Sequence, residues 1–354
     1  MSKPEPSADV LAIQCIALQP QLPGLPIPYW IPNDEGERWL LAGMVMNILA
    51  RPVDNNQQYE IVTWTGGRDA GLPLHAHQQA QQALYLVAGQ ASLWLNGQHY
   101  QLQTGDYVSI PPGYEVAFRC KAHRTRLLHF ISGGALTPAL CAAAVPWAGY
   151  IQPAGIAAPL SVSQKQTIAG LTALRWAEDS WPTTWPAAGA VSALPDGRRP
   201  YVLANGEGDR YIAGDQVFTY LTDAATSGQS FLAVMTEGPP GNMVPPHFHA
   251  QHSEIFFPLD GQLTMIANQQ TLIAGPGDAI FVAPGTIHGY QLNSGYTRFI
   301  GFLTPGVFDN FFRLLGDPWP ETVYPQEPGP LRFDRVLARL DELDLYLCSP
   351  GSRR

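Results

Sequence analysis

The chain has 354 residues, of which 45% are hydrophobic and 14% are charged, and its formal net charge at pH 7 is −9. This length and composition indicate a globular protein with two domain-sized cores. The acidic balance without a basic block argues against binding to nucleic acid or to an anionic membrane surface, and no apolar run is long enough to span a bilayer.

The first predicted segment, residues 1–27, is an irregular lead-in that is rich in Pro and Gln. It lacks the basic-then-apolar pattern of a secretory signal, so we expect the protein to reside in the cytoplasm. The cysteines have no paired spacing, which predicts free thiols in a reducing compartment rather than a disulfide framework. They are Cys15, Cys120, Cys141 and Cys348.

An internal repeat follows, in which residues from about 28 to 133 reappear 172 positions later without a gap. Many unrelated residue types keep this one register, which indicates a duplicated domain. We therefore predict an N-terminal barrel over 28–133 and a C-terminal barrel over 200–305. Matched pairs include Pro28 and Pro200, His75 and His247, Gly105 and Gly277, and Arg126 and Arg298.

Each copy consists of short apolar segments separated by turn residues. Ala83–Val87 and Ala91–Leu95 are examples in the first copy, and Ile255–Leu259 is one in the second. Asn96-Gly97 is typical of a tight hairpin turn of type I′. Short strands joined in this way indicate an all-β fold with an antiparallel sandwich or barrel in each copy.

Helices are predicted only outside the two barrels. The connector over 134–199 contains several Trp residues, which suit an ordered packed segment, and Ser161–Ala177 is a candidate helix within it. The C-terminal segment, 306–354, contains Val307–Leu315 as a short helix. It ends with Leu331–Leu347, whose apolar spacing predicts a longer helix with one buried stripe.

A candidate metal site lies in the second copy. His247 and His249 are two residues apart, so on a strand both imidazoles lie on one face. Glu254 begins the next apolar run, and His288 follows a turn at Gly285. Three imidazoles and one carboxylate suit a divalent transition metal, namely Fe, Mn, Ni, Co or Cu, with Zn as a further occupant of the isolated protein.

The first copy has lost part of this set. At the offset of 172 residues, His75 and His77 are retained, whereas Gln82 replaces the carboxylate and Val116 replaces the third imidazole. These residues predict a structural remnant, with weak metal binding as the alternative. His252 lies between two ligand positions and is a candidate for supporting contacts. Ordinary core or surface roles are expected for His99, His123 and His129.

These motifs resemble those of a known superfamily, the cupins. Their first signature is similar to Gly241-x5-His247-x-His249-x4-Glu254-x6-Gly261, and their second to Gly277-x5-Ala283-x-Gly285-x2-His288, with Ala283 where Pro is usual. The resemblance covers both copies. More narrowly, Pro200–Arg210 and the tail from Thr304 to Pro318 resemble the bacterial bicupin quercetin 2,3-dioxygenases.

The resemblance implies two tandem cupin barrels of the jelly-roll type and a metal held by His247, His249, Glu254 and His288. It also implies a reaction in which a flavonol binds the metal through its 3-hydroxyl and Glu254 receives the proton. O2 then adds across the central ring, carbon monoxide leaves and a depside remains. Many bacterial relatives carry an intact site in both copies. This chain departs from them in its first copy, so it is expected to act through its second copy alone.

The expected partners are a small aromatic substrate and O2, and the lightly charged surface is compatible with a homodimer. Met243, Phe256 and Tyr290 are candidate substrate contacts, although each also suits a plain barrel core. One alternative is a cupin dioxygenase that acts on another enolisable diketone or on a phenol. The other is a bicupin that keeps one metal as a non-catalytic sensor, since a fold does not fix a function.

Overall fold

The computed structural model describes residues 5–155 and 157–348. The outermost parts of the predicted lead-in and C-terminal segment, 1–4 and 349–354, lie outside the described residues. The chain divides into two compact units. The N-terminal unit comprises Asp34–Glu207, and the C-terminal unit comprises Met1–Asn33 together with Gly208–Arg354. Among the described helices, none has the length and apolar character needed to cross a membrane.

The described part of the chain is built mainly from short strands. The strands in the first 207 positions are β1 (Tyr29–Ile31), β2 (Glu37–Leu41), β3 (Met44–Ala50), β4 (Tyr59–Gly66), β5 (Gly71–His77), β6 (Gln81–Ala88), β7 (Gln90–Leu95), β8 (Gln98–Gln103), β9 (Tyr107–Ile110), β10 (Glu115–Cys120), β11 (Thr125–Ser132), β12 (Val145–Pro146), β13 (Leu174–Trp176) and β14 (Tyr201–Leu203).

The remaining strands are β15 (Asp209–Ala213), β16 (Gln216–Thr222), β17 (Leu232–Gly238), β18 (His247–Phe248), β19 (Ser253–Asp260), β20 (Leu263–Ala267), β21 (Gln270–Ala274), β22 (Ala279–Val282), β23 (His288–Leu292), β24 (Thr297–Thr304), β25 (Asp317–Pro318) and β26 (Tyr346–Leu347). The helices are short: α1 (Ala8–Ala12), α2 (Leu136–Ala143), α3 (Val162–Leu171), α4 (Ala224–Ser227), α5 (Asn310–Leu315) and α6 (Phe333–Ala338).

Both units contain the same pair of antiparallel sheets. In the C-terminal unit the larger sheet has the order β1-β22-β19-β24-β17-β16-β15-β25, and the smaller has β21-β20-β23-β18-β26. In the N-terminal unit the corresponding orders are β14-β9-β6-β11-β4-β3-β2-β12 and β8-β7-β10-β5-β13. The repeat found in the sequence is therefore a repeat of topology, and the prediction of an all-β fold with two barrels is confirmed.

The edge strand of each larger sheet comes from the start of the other repeat. β1 pairs with β22, with Tyr29 opposite Phe281, and β14 pairs with β9, with Tyr201 opposite Ser109. The rings of Tyr29 and Phe281 stack at 4.2 Å between centroids. The units consequently divide at Asn33 and at Glu207, several residues after the predicted barrel starts. The sequence pattern identifies such strands but not the strands with which they pair, because that pairing depends on the tertiary structure.

Aromatic and branched side chains fill the barrel of the C-terminal unit. Alternation along the strands points Phe256, Tyr290 and Phe299 toward one interior, where they pack together with Ile280 and Val282. In the N-terminal unit, Asn96 and Gly97 both have positive φ, as the type I′ turn between β7 and β8 requires. The four cysteines are all free thiols, as predicted.

The predicted helices outside the barrels are shorter in the structure. The connector helix α3 ends at Leu171, and the chain then forms β13 on the smaller sheet of the N-terminal unit. The long helix predicted over Leu331–Leu347 is wrong, because the helix there, α6, covers only Phe333–Ala338, and after a turn segment Tyr346–Leu347 forms β26. This correction matters for the site, because β26 brings residues near the end of the chain beside β18.

Candidate metal centre

The strand register of the C-terminal unit brings three histidines to one point. His247 lies on β18 directly opposite His288, the first residue of β23, and His249 follows two positions along. The ring nitrogens that these histidines offer all lie within 4.8 Å of one another. Glu254, on β19, places its Oε2 3.2 Å from Nε2 of His288 and its Oε1 3.3 Å from Nε2 of His249. The structure therefore gathers all four predicted ligand residues.

The backbone fixes the orientation of each imidazole. Nδ1 of His247 lies 2.8 Å from the carbonyl of Pro245, and Nδ1 of His288 lies 3.0 Å from the carbonyl of Thr286. Nδ1 of His249 lies 2.5 Å from the carbonyl of Asp344. A carbonyl can only accept, so each Nδ1 carries the hydrogen of a neutral imidazole and each Nε2 keeps its lone pair.

This arrangement fits a cation. The lone pairs on Nε2 of His249 and His288 face the carboxylate of Glu254, so acceptors meet acceptors at 3.2 to 3.3 Å. Nε2 of His249 is buried and has no hydrogen-bond partner among the described residues. Leaving such an atom unpaired in the interior is costly. A divalent metal between these atoms would satisfy the three imidazoles and the carboxylate together.

The charge states also suit a metal. Burial lowers the pKa of His249 to about 4 and holds the pKa of His247 well below its usual value, so both imidazoles are neutral at pH 7. Burial alone would raise the pKa of Glu254. The surrounding histidines, His249 first among them, outweigh burial and hold this pKa well below its usual range, so the carboxylate is ionised. The set offers neutral nitrogen donors and one anionic oxygen donor, which is the form that metals bind.

An apolar cavity of about 90 Å³ adjoins these ligands. Phe256 and Tyr290, both candidate substrate contacts, line it, whereas Met243 does not. Its neighbour Val244 faces the cavity instead, with its N–H donating to the carbonyl of Tyr290 at 2.7 Å. Met243 precedes the ligand loop, and alternation along the extended chain gives the inward position to the next residue.

Two residues that the sequence left without a metal role support the ligand loop. The carboxylate of Asp344 is 2.8 Å from Nδ1 of His252, whose Nε2 lies 3.6 Å from Glu254. Burial would lower the pKa of His252, but the hydrogen bond to Asp344 and the nearby carboxylate of Glu254 outweigh it and raise the pKa. Burial would raise the pKa of Asp344, but the hydrogen bond to His252 leads the contacts that lower it to about 2. The spacing of His252 suggested a supporting contact, whereas no motif signalled Asp344.

The N-terminal barrel holds a hydrogen-bonded chain in the corresponding place. Nε1–H of Trp64 donates to Nδ1 of His129 at 3.3 Å, and Nε2 of His129 lies 2.9 Å from Oε1 of Gln82. Val116 is buried opposite His75 on the neighbouring strand. Within the described residues, the groups close enough to share an ion lie in the C-terminal unit. The sequence predicts an ordinary role for His129, but in the structure its ring links Trp64 to Gln82 through two hydrogen bonds.

The two barrels differ in side-chain size at two positions beside this cavity. In the C-terminal barrel, Thr236 and Gly301 line the cavity. The offset of 172 residues puts Trp64 and His129 at these two positions in the N-terminal barrel, and both are buried. Two large side chains therefore occupy the space that two small ones leave open.

Two buried histidines of the N-terminal barrel, His75 and His129, are expected to make the stability of the protein depend on pH. Burial lowers the pKa of His75 to about 4 and that of His129 to about 3, from 6.5 in the unfolded chain. Between pH 6.5 and these values the unfolded state binds more protons, so the free energy of unfolding falls as the pH falls. Each histidine contributes up to about 1.4 kcal/mol per pH unit.

His129→Gln is expected to lower the slope of the unfolding free energy against pH by the contribution of up to one proton. The reason is that glutamine can still form hydrogen bonds with Trp64 and Gln82 but does not titrate. Urea unfolding at several pH values between 5 and 7 measures the slope. His123→Gln is the matched control, since it also replaces one histidine of the N-terminal unit, at an exposed position. Equal slopes for the two variants would contradict the assignment.

Comparison with known proteins adds independent information. Residues 61–131 and 234–300 each match the cupin domain family. The chain is 34% identical to quercetin 2,3-dioxygenase of Bacillus subtilis (strain 168) over 329 residues, which is 93% of this chain and 98% of the relative. It is 29% identical to quercetin 2,3-dioxygenase of Aspergillus japonicus over 142 residues, covering 38% of this chain and 41% of that one.

Among solved structures, an oxalate decarboxylase of Bacillus subtilis matches with a TM-score of 0.51 and 14% identity, over 78% of this chain and 77% of the other. At that identity the match concerns the fold alone. It agrees with the two sets of paired sheets described above.

Proposed function

Because the chain belongs to the cupin family of quercetin 2,3-dioxygenases and is an oxidoreductase of that type, we propose that its C-terminal barrel opens the central ring of a flavonol with O2. In this reaction the ring carbon that carries the 3-hydroxyl leaves with its own oxygen as carbon monoxide, and both atoms of O2 are retained in the depside. The observation that carries the proposal is the convergence of His247, His249, His288 and Glu254 beside an apolar cavity.

The four ligand residues have defined tasks. A divalent transition metal that they hold would lower the pKa of a flavonol 3-hydroxyl. Glu254 has an ionised carboxylate at the cavity wall and would accept the proton of that hydroxyl at one oxygen. Phe256 and Tyr290 would contact the planar rings of the substrate, because they line the cavity beside His288.

Substrate entry requires the cavity to enlarge. About 90 Å³ holds roughly three water molecules, whereas pockets for drug-sized ligands measure roughly 300 to 1,000 Å³. One segment supplies a large share of the wall through Phe308, Phe311, Phe312 and Leu315. Three of these four residues lie on α5, so displacement of this segment is the simplest way to admit a flavonol.

The small cavity also favours a second candidate. A dioxygenase acting on a smaller enolisable diketone or on a phenol would need less displacement of the Phe308–Leu315 segment. The ligand set serves both reactions equally, since enolate oxygens bind such metals in the same way. The sensor alternative is not retained, because the relative that spans nearly the whole chain is named as an enzyme.

The test incubates metal-loaded protein with quercetin in air and measures carbon monoxide together with loss of the flavonol absorption band. Carbon monoxide in step with bleaching is the expected result. O2 uptake with small diketones or phenols, without carbon monoxide from quercetin, would favour the second candidate. Absence of turnover with all of these substrates by fully metal-loaded protein would overturn the proposal.

A further inference from the structure

Asp344 ties the loop that carries His249 to a segment near the end of the chain. Its carboxylate accepts hydrogen bonds from the N–H groups of Ala250 at 2.9 Å, Gln251 at 2.7 Å and His252 at 3.2 Å. Its own backbone carbonyl lies 2.5 Å from Nδ1 of His249. The side chain is buried, with 5% of the residue exposed. One residue thus bonds to three successive amides and to a ligand imidazole.

The N-terminal barrel contains a natural comparison. β13 pairs with β5 as β26 pairs with β18, so that Trp176 lies opposite His75 and Leu347 lies opposite His247. Asp344 lies three residues before Leu347, and Ala173 lies three residues before Trp176, so Ala173 is the counterpart of Asp344. Alanine has no carboxylate, and Ala173 offers only its backbone carbonyl, to the N–H of Gln78 at 3.2 Å.

Without a carboxylate, the loop amides of the N-terminal barrel find another acceptor. The N–H groups of Gln79 and Ala80 donate to Nδ1 of His77 at 3.2 and 2.9 Å. These residues correspond to Gln251 and His252, whose amides Asp344 accepts in the other barrel.

The two arrangements give the imidazoles opposite tautomers. Nδ1 of His77 accepts, so a neutral ring carries its hydrogen on Nε2 and has no lone pair there for a metal. Nδ1 of His249 faces the Asp344 carbonyl, so this ring carries its hydrogen on Nδ1 and offers Nε2. Such partners commonly set the orientation and affinity of a ligand histidine.

We propose that Asp344 is a positioning residue that selects the metal-binding tautomer of His249. Its carboxylate holds the loop amides away from Nδ1 of His249, while its carbonyl receives the hydrogen of that atom. The inference rests on the proposed metal site and is independent of which substrate is turned over. It also explains why His77, although retained in the sequence, has a tautomer that offers no lone pair on Nε2 to a metal.

The test is Asp344→Ala, examined first in metal-free protein. ¹⁵N NMR of labelled histidine distinguishes the two tautomers, and His249 is expected to change from hydrogen on Nδ1 to hydrogen on Nε2. Titration with Co²⁺ is expected to show about a 10- to 100-fold loss of affinity. Glu342→Ala is the matched control, because this nearby exposed side chain pairs with Arg339 at 3.4 Å and not with the ligand loop as described, and neither readout should change.

A second variant tests the same idea without disturbing the C-terminal barrel. Ala173 borders a cavity of about 600 Å³, which leaves room for a carboxylate. Ala173→Asp is expected to draw the amides of Gln79 and Ala80 away from His77 and to move its hydrogen to Nδ1. If Asp344→Ala does not fold, this variant decides alone. Unchanged tautomers in the folded variants would overturn the inference, whereas failure of the quercetin assay would affect only the proposed reaction.

Discussion

Glu254→Gln is expected to abolish flavonol turnover, lowering kcat by roughly 10²- to 10⁴-fold, the range that a positioned general base contributes. The amide keeps the shape of the side chain but removes both the proton acceptor and the anionic metal ligand. The carboxylate lies within 3.3 Å of Nε2 of His249 and of His288, so the loss acts at the centre of the ligand set. Carbon monoxide release and quercetin bleaching measure the rate, and elemental analysis measures the metal that remains.

Gln82→Ala is the matched control, since Gln82 occupies the equivalent position in the N-terminal barrel. Its Oε1 lies 2.9 Å from Nε2 of His129, and removing this bond is expected to cost about 1 kcal/mol of stability. Turnover should stay nearly intact. Comparable losses of activity in the two variants would defeat the assignment of catalysis to the C-terminal barrel.

Gly301→Val is expected to block substrate binding while leaving the fold and the metal in place. Gly301 lines the cavity, and its nearest neighbour to an added Cβ is the carbonyl oxygen of Val234 at 3.6 Å, so the new side chain meets no clash at its base. Valine adds three carbon atoms to a cavity of about 90 Å³. We expect kcat/KM for quercetin to fall by about 100-fold or more, equivalent to roughly 2.7 kcal/mol of transition-state binding.

The same substitution should not destabilise the protein. Glycine within a strand is destabilising by about 0.5 to 1 kcal/mol relative to alanine, and valine suits a strand well. The Tm is therefore expected to stay constant or rise, and the metal content to stay the same. Gly275→Val is the control, because Gly275 does not line this cavity and an added Cβ there has nothing within 4 Å. Normal turnover by Gly301→Val would show that the substrate binds elsewhere.

Local pattern predicted much of the site. Two histidines at strand spacing, a carboxylate at the start of the next strand and a third histidine after a turn gave the four residues that meet in the C-terminal barrel. The constant offset between the repeats identified which of their counterparts differ. The same offset pairs the cavity residues Thr236 and Gly301 with Trp64 and His129. It therefore indicates a role for His129 that the spacing of ligand residues alone does not show.

The features that the sequence did not predict depend on tertiary contacts. The apolar residues of 331–347 fit a helical period, but α6 ends at Ala338 and the chain then extends to form β26. A period of apolar residues does not reveal that an edge beside β18 is open for pairing. Asp344 consequently had no predicted neighbour, although it contacts the ligand loop. The exchange of β1 and β14 between sheets has the same origin, since short edge strands carry little information about their partners.

The most direct test of the central claim is the number and location of metal atoms per chain. Elemental analysis of the purified protein is expected to give one divalent transition metal ion per chain. His249→Ala is expected to lose it and His77→Ala to retain it, because His249, unlike His77, presents a lone pair on Nε2 toward the other ligands. Two metal ions per chain, or loss of the ion in His77→Ala with retention in His249→Ala, would contradict a single site in the C-terminal barrel.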